Sequence, residues 1–370
     1  MKGGGEVPLV LHVIPTAAAR GAQREARALV DRLDAPGQRH HRLLSLFDGP
    51  TQIAVDESLG FRSRRQPTAS GFEPLLALRL AAYLRRRRPA VVVAHGGDPL
   101  KYIVPAWPTP RRRLVYYATG TFGAAGRPLQ LRLWRALVDR ATVVAAEGEQ
   151  VMAECRDLLR VPPRRLVLAP NGRDPGAFHP ASAAEGQRRG LPAVVFVGAL
   201  TPGKGPEVFV EVVGALRRRG GELHALMCGD GPLRPVLEGP ARAACVDMLG
   251  PVDDVAAVLR RAHLMLFPSR PTGEGMPGVL IEAGLSGLPV VATDVPGARS
   301  IVEDGTSGFL VAVDDTEAMV RALQRLLADP ALRRRMGDAA RSRCLEHFAI
   351  EPVVERWRAF LTPLVEGSGR

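Results

Sequence analysis

Two acidic side chains stand where a carboxylate could hold the hydroxyl groups of a ligand. Glu282 is the only charged residue in the stretch 275–293, whose apolar residues predict a helix. Because an ionised carboxylate is costly to bury unless it accepts hydrogen bonds, we expect Glu282 to face a ligand rather than simply to lie on an exposed helix face. Glu274 lies eight residues earlier in the glycine-rich loop PTGEGMPG, where the backbone can approach a ligand closely. The helix N-terminus near Gly278 would offer unpaired amides to a phosphate.

A lysine in an arginine-rich chain marks a second position. Of the 50 basic residues only three are lysines, and Lys204 is one of them, in the turn LTPGKGP between a strand and a helix. A compact ammonium suits a phosphate oxygen in a tight glycine loop, although an exposed turn lysine is the alternative. The same segment matches the G-x-x-x-x-G-K pattern of a P-loop, but Gly205 stands where Ser or Thr would bind magnesium. The sequence therefore argues against a P-loop NTPase.

Two further residues lie next to predicted strand ends. Gly21 follows the first strand and opens a helix, so its amide could face an anion. His95 ends the strand VVVAHGG, at the edge of a parallel sheet where ligands bind, although a structural histidine is the alternative. No Asp-x-Asp pair occurs that could clamp a metal-bound diphosphate. We therefore expect no metal site and no cofactor.

Apolar strands alternate with helices along most of the chain. Strands are predicted at 9–15, 41–47, 91–96, 114–119, 142–148, 166–170, 194–200, 223–229, 246–250, 264–269 and 289–293. Continuous apolar strands that are each followed by a helix indicate parallel sheets covered on both faces. The Pro- and Gly-rich segment 171–190 interrupts the alternation and is predicted to be a linker. The fold class is therefore α/β, with two Rossmann-like doubly wound domains over residues 1–170 and 191–345.

Composition excludes several classes of protein. Hydrophobic residues make up 46% and charged residues 24% of the 370, which is typical of a globular chain and not of a disordered or fibrous one. The apolar stretches are too short to span a bilayer and the N-terminus does not resemble a secretory signal, so we expect a cytoplasmic protein. The four cysteines form no CxxC pair, which argues against disulfides and zinc.

The net charge of +12 predicts an anionic partner. Aromatic residues are scarce, at 5%, and do not interleave with the basic runs, so binding to nucleic acid is not expected. The arginine runs are either solvated helix ends or a peripheral contact with an anionic membrane at its inner face. They lie at Arg85–Arg88, Arg111–Arg113, Arg217–Arg219 and Arg333–Arg335.

Taken together, these motifs resemble those of the retaining GT-B glycosyltransferases of family 4. The resemblance runs along nearly the whole chain and is most specific in its second half. It rests on the pair Glu274 and Glu282, the GKG loop, PNGRDPGAF, CGDGPLRPVLE, LGPVDDVAAVLRRAHLMLFPS and GLPVVATDVPG…VEDGTSGFLV. It implies an acceptor-binding first domain and a nucleotide-sugar-binding second domain that face a central cleft, with a helix over 346–370 that crosses back to the first.

The resemblance also implies roles for individual positions. Glu274 would contact the donor sugar and Glu282 the ribose, while Lys204 and the backbone amides of Gly278 and Val279 would bind the diphosphate. The backbone near Val252 would lie against the base. Gly21 would lie near the donor phosphate or the acceptor, and His95 near the anomeric centre.

Three positions depart from the family pattern. The arginine that commonly precedes the lysine by five residues is Ala199 here, and Arg173 or Arg270 could replace it. Arg20 replaces the first glycine of the family's Gly-Gly loop, in which the usual acidic residue is Gln23. Pro277 removes an amide that relatives direct at the sugar.

The resemblance thus implies a hexosyltransferase-type enzyme that moves a sugar from a nucleotide-diphosphate donor to an acceptor hydroxyl with retention. Catalytic roles are expected for Glu274, His95 and Lys204. The acceptor (a polysaccharide, a lipid-linked sugar or a small molecule) stays open. Two alternatives also stay open: another GT-B enzyme such as a sugar-nucleotide epimerase, and a non-catalytic basic binding protein.

Overall fold

The protein is described by a computed structural model over residues 8–18, 21–34, 40–62, 71–107, 113–120, 128–181, 190–271 and 275–367. Its contacts divide the chain into two compact units, one formed by Met1–Gly172 with Ile350–Arg370 and the other by Arg173–Ala349. The second unit thus begins inside the segment that the sequence predicts as a linker, because Arg173 forms a parallel β-bridge with Ala349.

The first unit contains a parallel sheet of seven described strands in the order β3-β2-β1-β4-β5-β6-β7. Its strands are β1 (Val10–Ile14), β2 (His41–Phe47), β3 (Glu57–Phe61), β4 (Val91–His95), β5 (Leu114–Ala118), β6 (Val143–Ala146) and β7 (Leu166–Leu168). Its α-helices are α1 (Gly21–Leu33), α2 (Pro74–Arg87), α3 (Gly97–Ala106), α4 (Pro128–Val138), α5 (Glu149–Asp157) and α13 (Ile350–Glu366). The inner strands are buried and, apart from His12 and His95, mostly apolar, as expected for a sheet covered on both faces.

The second unit contains a parallel sheet of six described strands in the order β10-β9-β8-β11-β12-β13. Its strands are β8 (Ala193–Val197), β9 (His224–Cys228), β10 (Val246–Gly250), β11 (Leu264–Phe267), β12 (Val290–Thr293) and β13 (Gly308–Val311). Its α-helices are α6 (Pro206–Arg218), α7 (Arg234–Ala243), α8 (Val255–Arg261), α9 (Gly278–Leu285), α10 (Pro296–Ile301), α11 (Thr316–Ala328) and α12 (Pro330–His347).

Each sheet has a point at which the strand order reverses. It lies between β1 and β4 in the first unit and between β8 and β11 in the second. Ligands of doubly wound sheets bind outside the carboxyl ends of the strands at such a switch point. The two predicted Rossmann-like sheets are confirmed, and their switch points show where a site can form.

The last helix starts later than the sequence predicts. Residues 346 and 347 still belong to α12, and α13 begins only at Ile350. The Phe348 amide donates to the Cys344 carbonyl to close α12, and Ala349 pairs with Arg173, so the turn between the helices falls at 348–349. Trp357 of α13 is fully buried in the core of the first unit.

Candidate functional site

Helix α9 follows β11 at the switch point of the second unit. Most of its residues are buried against the unit core, and only Gly278, Val279 and Glu282 lie on a half-buried face. Pro277 precedes the helix with extended backbone, and the first-turn amides have no helical carbonyl to bind. These amides and the helix dipole favour an anion at this end of α9.

Glu282 is paired with an arginine that comes from the start of the unit. Arg173 Nε donates to Glu282 Oε1 over 2.7 Å, and both side chains are less than one-fifth exposed. The guanidinium lies directly beside the Cα of Gly278: a Cβ added to this glycine would come within 2.7 Å of Arg173 Cζ. The β-bridge to Ala349 fixes the Arg173 backbone. The carboxylate, the guanidinium and the helix N-terminus therefore form one cluster.

Lys204 lies in the turn after β8, the other strand of this switch point. It ends a short 3-10 helix (Pro202–Lys204), and Gly205 follows with φ of 64°. A Cβ on Gly205 would overlap the Pro268 carbonyl oxygen after β11, so only glycine fits this approach. The Arg270 amide also donates to the Gly203 carbonyl over 2.8 Å. The loops that follow β8 and β11 are thus in direct contact.

The two arginines that could replace the one missing at Ala199 have different partners. The Arg270 guanidinium contacts Glu207 at 2.5 Å, Asp314 at 2.9 Å and the Pro202 carbonyl at 2.6 Å. These contacts hold the Lys204 turn in place and neutralise the charge of Arg270 locally. Arg173 instead lies across the N-terminus of α9.

The other two residues predicted for the donor site are Val252 and Glu274. Val252 is half-buried, two residues beyond β10, and packs against the apolar core of the second unit. Glu274 lies outside the described residues.

In the first unit the two predicted residues flank its switch point. Gly21 is the first residue of α1, it is exposed, and a Cβ there would meet no atom within 4 Å. His95 is the last residue of β4 and is only 6% exposed. It lines a cavity of about 10 Å³, room for about one water molecule, together with Tyr117, Asn171 and Trp357.

His95 belongs to a chain of three histidines that the sequence analysis did not find. His12 Nδ1 lies 2.9 Å from His95 Nε2, and His12 Nε2 lies 3.0 Å from His41 Nδ1. Burial lowers the pKa of His95 to about 3 and that of His41 to about 4, and it holds the pKa of His12 well below its ordinary value. All three imidazoles are therefore neutral at pH 7. His12 could have been found from the sequence, because it is a polar residue in the middle of the apolar strand LVLHVIP.

A second polar network lies at the same sheet edge. The Tyr117 hydroxyl donates to Asn171 Oδ1 over 2.7 Å, and the Asn171 amide lies 3.4 Å from the buried carboxylate of Glu147. The Gly120 amide donates to the other Glu147 oxygen. Glu147 was also missed, although a lone carboxylate directly after the apolar strand β6 was an available signal.

Two searches of the described residues bear on metal and membrane. Within these ranges, no group of three or more His, Cys, Asp or Glu side chains is arranged to hold a metal ion. None of the helices described combines the length and apolar character needed to cross a membrane.

Comparison with known proteins places both halves of the chain in related families. Residues 19–177 match the family model for Glycosyltransferase Family 4, and residues 191–329 match that for Glycosyl transferases group 1. An exopolysaccharide phosphotransferase of Streptomyces coelicolor is 32% identical over 66% of this chain and 25% of its own length. The alpha-D-kanosaminyltransferase of Streptomyces kanamyceticus is 31% identical over 62% of each chain. The matches thus span between a quarter and about three-fifths of these relatives.

The fold of this chain matches that of proteins whose structures have been solved. HepE of Anabaena, in complex with UDP and glucose, superposes with a TM-score of 0.80 at 18% identity, over 95% of this chain and 99% of HepE. This similarity confirms the predicted fold, and the two family models account for both units. The chain therefore belongs to the glycosyltransferases of family 4, with the GT-B fold of two Rossmann-like units.

Proposed function

We propose that the chain moves a sugar from a nucleotide-diphosphate donor to an acceptor hydroxyl with retention at the anomeric carbon. The observation that carries the proposal is the switch point of the second sheet. A lysine turn follows one of its two strands, and a helix N-terminus follows the other, with a carboxylate on that helix that pairs with Arg173 from the start of the unit. Cations and amides suit a diphosphate, and a carboxylate suits hydroxyls. UDP and glucose bound to HepE, and the transferase name of the Streptomyces kanamyceticus relative, support this class of donor.

In the proposed reaction the positive groups act on the leaving diphosphate. Negative charge grows on this group as the glycosidic bond breaks, so Lys204 and the amides of Gly278 and Val279 stabilise the transition state more than the ground state. We assign the charge missing at Ala199 to Arg173, which lies over Gly278, and not to Arg270, which two carboxylates neutralise. The leaving phosphate takes the acceptor proton, and no metal or cofactor is required.

Other positions hold the rest of the donor. Glu282 uses Oε1 for Arg173, and its second oxygen can accept the ribose hydroxyls. Glu274 binds the sugar hydroxyls and the backbone near Val252 lies against the base. In the first unit, His95 acts near the anomeric centre and Gly21 near the donor phosphate.

We also propose that the first unit touches an anionic membrane at the cytoplasmic face. Helices α2 and α4 both pack against α3 and expose large leucines, among them Leu78 at 67% and Leu129 at 77%. Exposed arginines accompany them, including Arg79 and Arg132. Apolar side chains flanked by cations match the interface of an anionic lipid surface.

Vesicle sedimentation tests this contact. The double variant Leu78→Ser/Leu129→Ser should weaken binding to phosphatidylglycerol vesicles by at least about tenfold, because two leucines no longer enter the interface. Val236→Ser removes a residue that is 66% exposed on α7 and serves as the control. Equal binding of both variants and wild type would exclude this surface.

Thermal-shift screening against UDP-, GDP-, ADP- and dTDP-sugars tests the donor site, since a ligand of the native state raises its melting temperature. Lys204→Ala and Glu282→Gln should abolish the shift or reduce kcat by about 10²- to 10³-fold while leaving the protein folded. Arg219→Ala and Glu317→Gln change an arginine and a glutamate that form an exposed ion pair with each other on the second unit, and both variants should behave like wild type. Wild-type turnover in Lys204→Ala and Glu282→Gln would refute the proposed site.

Two measurements separate the alternatives. Conversion of a donor sugar without any acceptor would indicate an epimerase. Salt-dependent binding to polyanions, with no response to nucleotide sugars, would indicate a basic binding protein.

A further inference from the structure

Three histidines cross one face of the sheet in the first unit. His41 is the first residue of β2, His12 is in the middle of β1 and His95 is the last residue of β4. The register pairs Val10 with His41 and His12 with Val93, so the three rings run obliquely from the amino edge of the sheet to its carboxyl edge. His12 contacts both other rings, at 2.9 Å and 3.0 Å. The chain therefore connects the side remote from ligands with the switch point.

The inner part of this chain is shielded from water. His12 is fully buried and His95 is 6% exposed, whereas His41 is half-buried. Trp357 stacks on His95 with an interplanar angle of 11°, and Tyr117 meets the same ring edge-on. Because burial keeps the three rings neutral, each must donate from one nitrogen and accept at the other.

This geometry permits only two proton arrangements. If His12 donates from Nδ1 to His95 Nε2, its own Nε2 must accept from His41 Nδ1, and all three rings carry their proton on Nδ1. If His95 donates instead, His12 donates onward to His41, and all three carry it on Nε2. In the first arrangement His95 Nδ1 is a donor, and in the second it is an acceptor.

We propose that His41 and His12 are positioning residues that set, through this relay, whether His95 presents a donor or an acceptor at Nδ1. The relay itself rests on the geometry of the first unit, and its effect on catalysis rests on the proposed function. His95 would meet a substrate oxygen in the wrong hydrogen-bonding state when the relay is broken.

The half-buried end of the chain, at His41, is where one of the two proton arrangements is selected. Charged groups lie near His41: Asp34 accepts from its backbone amide over 3.0 Å, and His40 and Arg358 lie close enough to affect its titration. Arg27 is the charged side chain that acts on His12. A change at His41 is thus relayed to His95 although the two rings make no contact in the chain described above.

Side-chain nitrogen NMR of the full chain with labelled histidine tests the relay without any substrate. The protein supplies two reference spectra at about pH 8, where imidazoles are neutral. His263 Nδ1 accepts from the Ala193 amide, so its proton is on Nε2. His179 Nδ1 donates to the Pro180 carbonyl, so its proton is on Nδ1. Wild-type His12, His41 and His95 should all match the same reference.

His41→Phe should then change the tautomer populations of His95 while leaving His263 unchanged. It should lower kcat by about tenfold or more with the KM for the donor unchanged. Different tautomers among the three wild-type rings, or an unaltered His95 signal in His41→Phe, would overturn the relay. An intact relay in a protein without transferase activity would instead count only against the proposed function.

Discussion

Acidification should destabilise the first unit through its buried histidines. We predict that lowering the pH from about 7.5 to about 5 costs about 2 kcal/mol of unfolding free energy for each histidine that stays neutral while folded. His95 has a pKa of about 3 in the native protein, against an ordinary value of 6.5, because burial disfavours its charged form. Below pH 6.5 the unfolded chain therefore binds a proton that the native state does not.

The magnitude follows from this difference. Each decrease of one pH unit below 6.5 lowers the free energy of unfolding by about 1.4 kcal/mol. Lowering the pH to about 5 therefore costs about 2 kcal/mol for His95. His12 changes the stability in the same direction, since burial holds its pKa well below 6.5. The stability is fully present above pH 6.5 and is lost as the pH falls toward the native pKa. A loss of about 2 kcal/mol is already a large part of the stability of a typical domain.

Tryptophan fluorescence provides a selective assay. The three tryptophans of the chain, Trp107, Trp134 and Trp357, all belong to the first unit. Urea denaturation followed by their emission therefore reports the unfolding of this unit at both pH values. Equal unfolding free energies would refute the reasoning that burial keeps these rings neutral.

A double variant separates the histidines from other titrating groups. His12→Leu/His95→Leu removes both members of one buried hydrogen bond, which avoids leaving a single unsatisfied partner in this pair. Its loss of stability on acidification should be smaller than that of wild type by at least about 2 kcal/mol. An unchanged pH dependence would assign the effect to other groups.

Two further predictions concern the second unit and the cysteines. Calorimetry should show that Gly205→Ala destabilises the second unit by about 1 to 3 kcal/mol, because the Gly205 backbone is left-handed and a Cβ would overlap Pro268. The control Gly190→Ala adds a methyl group in open space and should leave the stability unchanged. Equal melting temperatures of the two variants would contradict this packing. Cys245 is exposed and should react with a thiol reagent in the native protein. The other three thiols should react only on unfolding, since they are buried and their pKa values are raised to about 11 or 12. A second fast-reacting thiol in the native protein would contradict this prediction. The three buried thiols are Cys155, Cys228 and Cys344.

The sequence predicted the inner strands well because burial on both faces requires an unbroken apolar run. It missed β3 (Glu57–Phe61), an edge strand whose outer residues are exposed and whose pattern is therefore not continuously apolar. It also missed α3 (Gly97–Ala106), which carries prolines at both ends of its apolar stretch. Elements at the edge of a sheet, or with prolines in their turns, leave no periodic signal as strong as that of the core.

Single site residues could be located in sequence, but their partners could not. Lys204, Glu282 and His95 stand out because a polar residue is unusual beside apolar strands and helices. Arg173 lies 109 residues from Glu282, and His12 lies 83 residues from His95. Only the register of the strands and the β-bridge at residue 173 bring these pairs into contact.

The two candidate arginines show how such contacts decide a role. Arg270 follows β11 at the switch point, so topology alone favours it over Arg173 as the missing phosphate ligand. Its contacts with Glu207 and Asp314 make it a brace for the Lys204 turn, since two carboxylates already neutralise its charge. Arg173 has its carboxylate partner, Glu282, on the helix whose N-terminus it covers. A diphosphate bound at that N-terminus would meet the unpaired helix amides and an arginine with one carboxylate partner, whereas beside Arg270 it would have to compete with two acidic side chains.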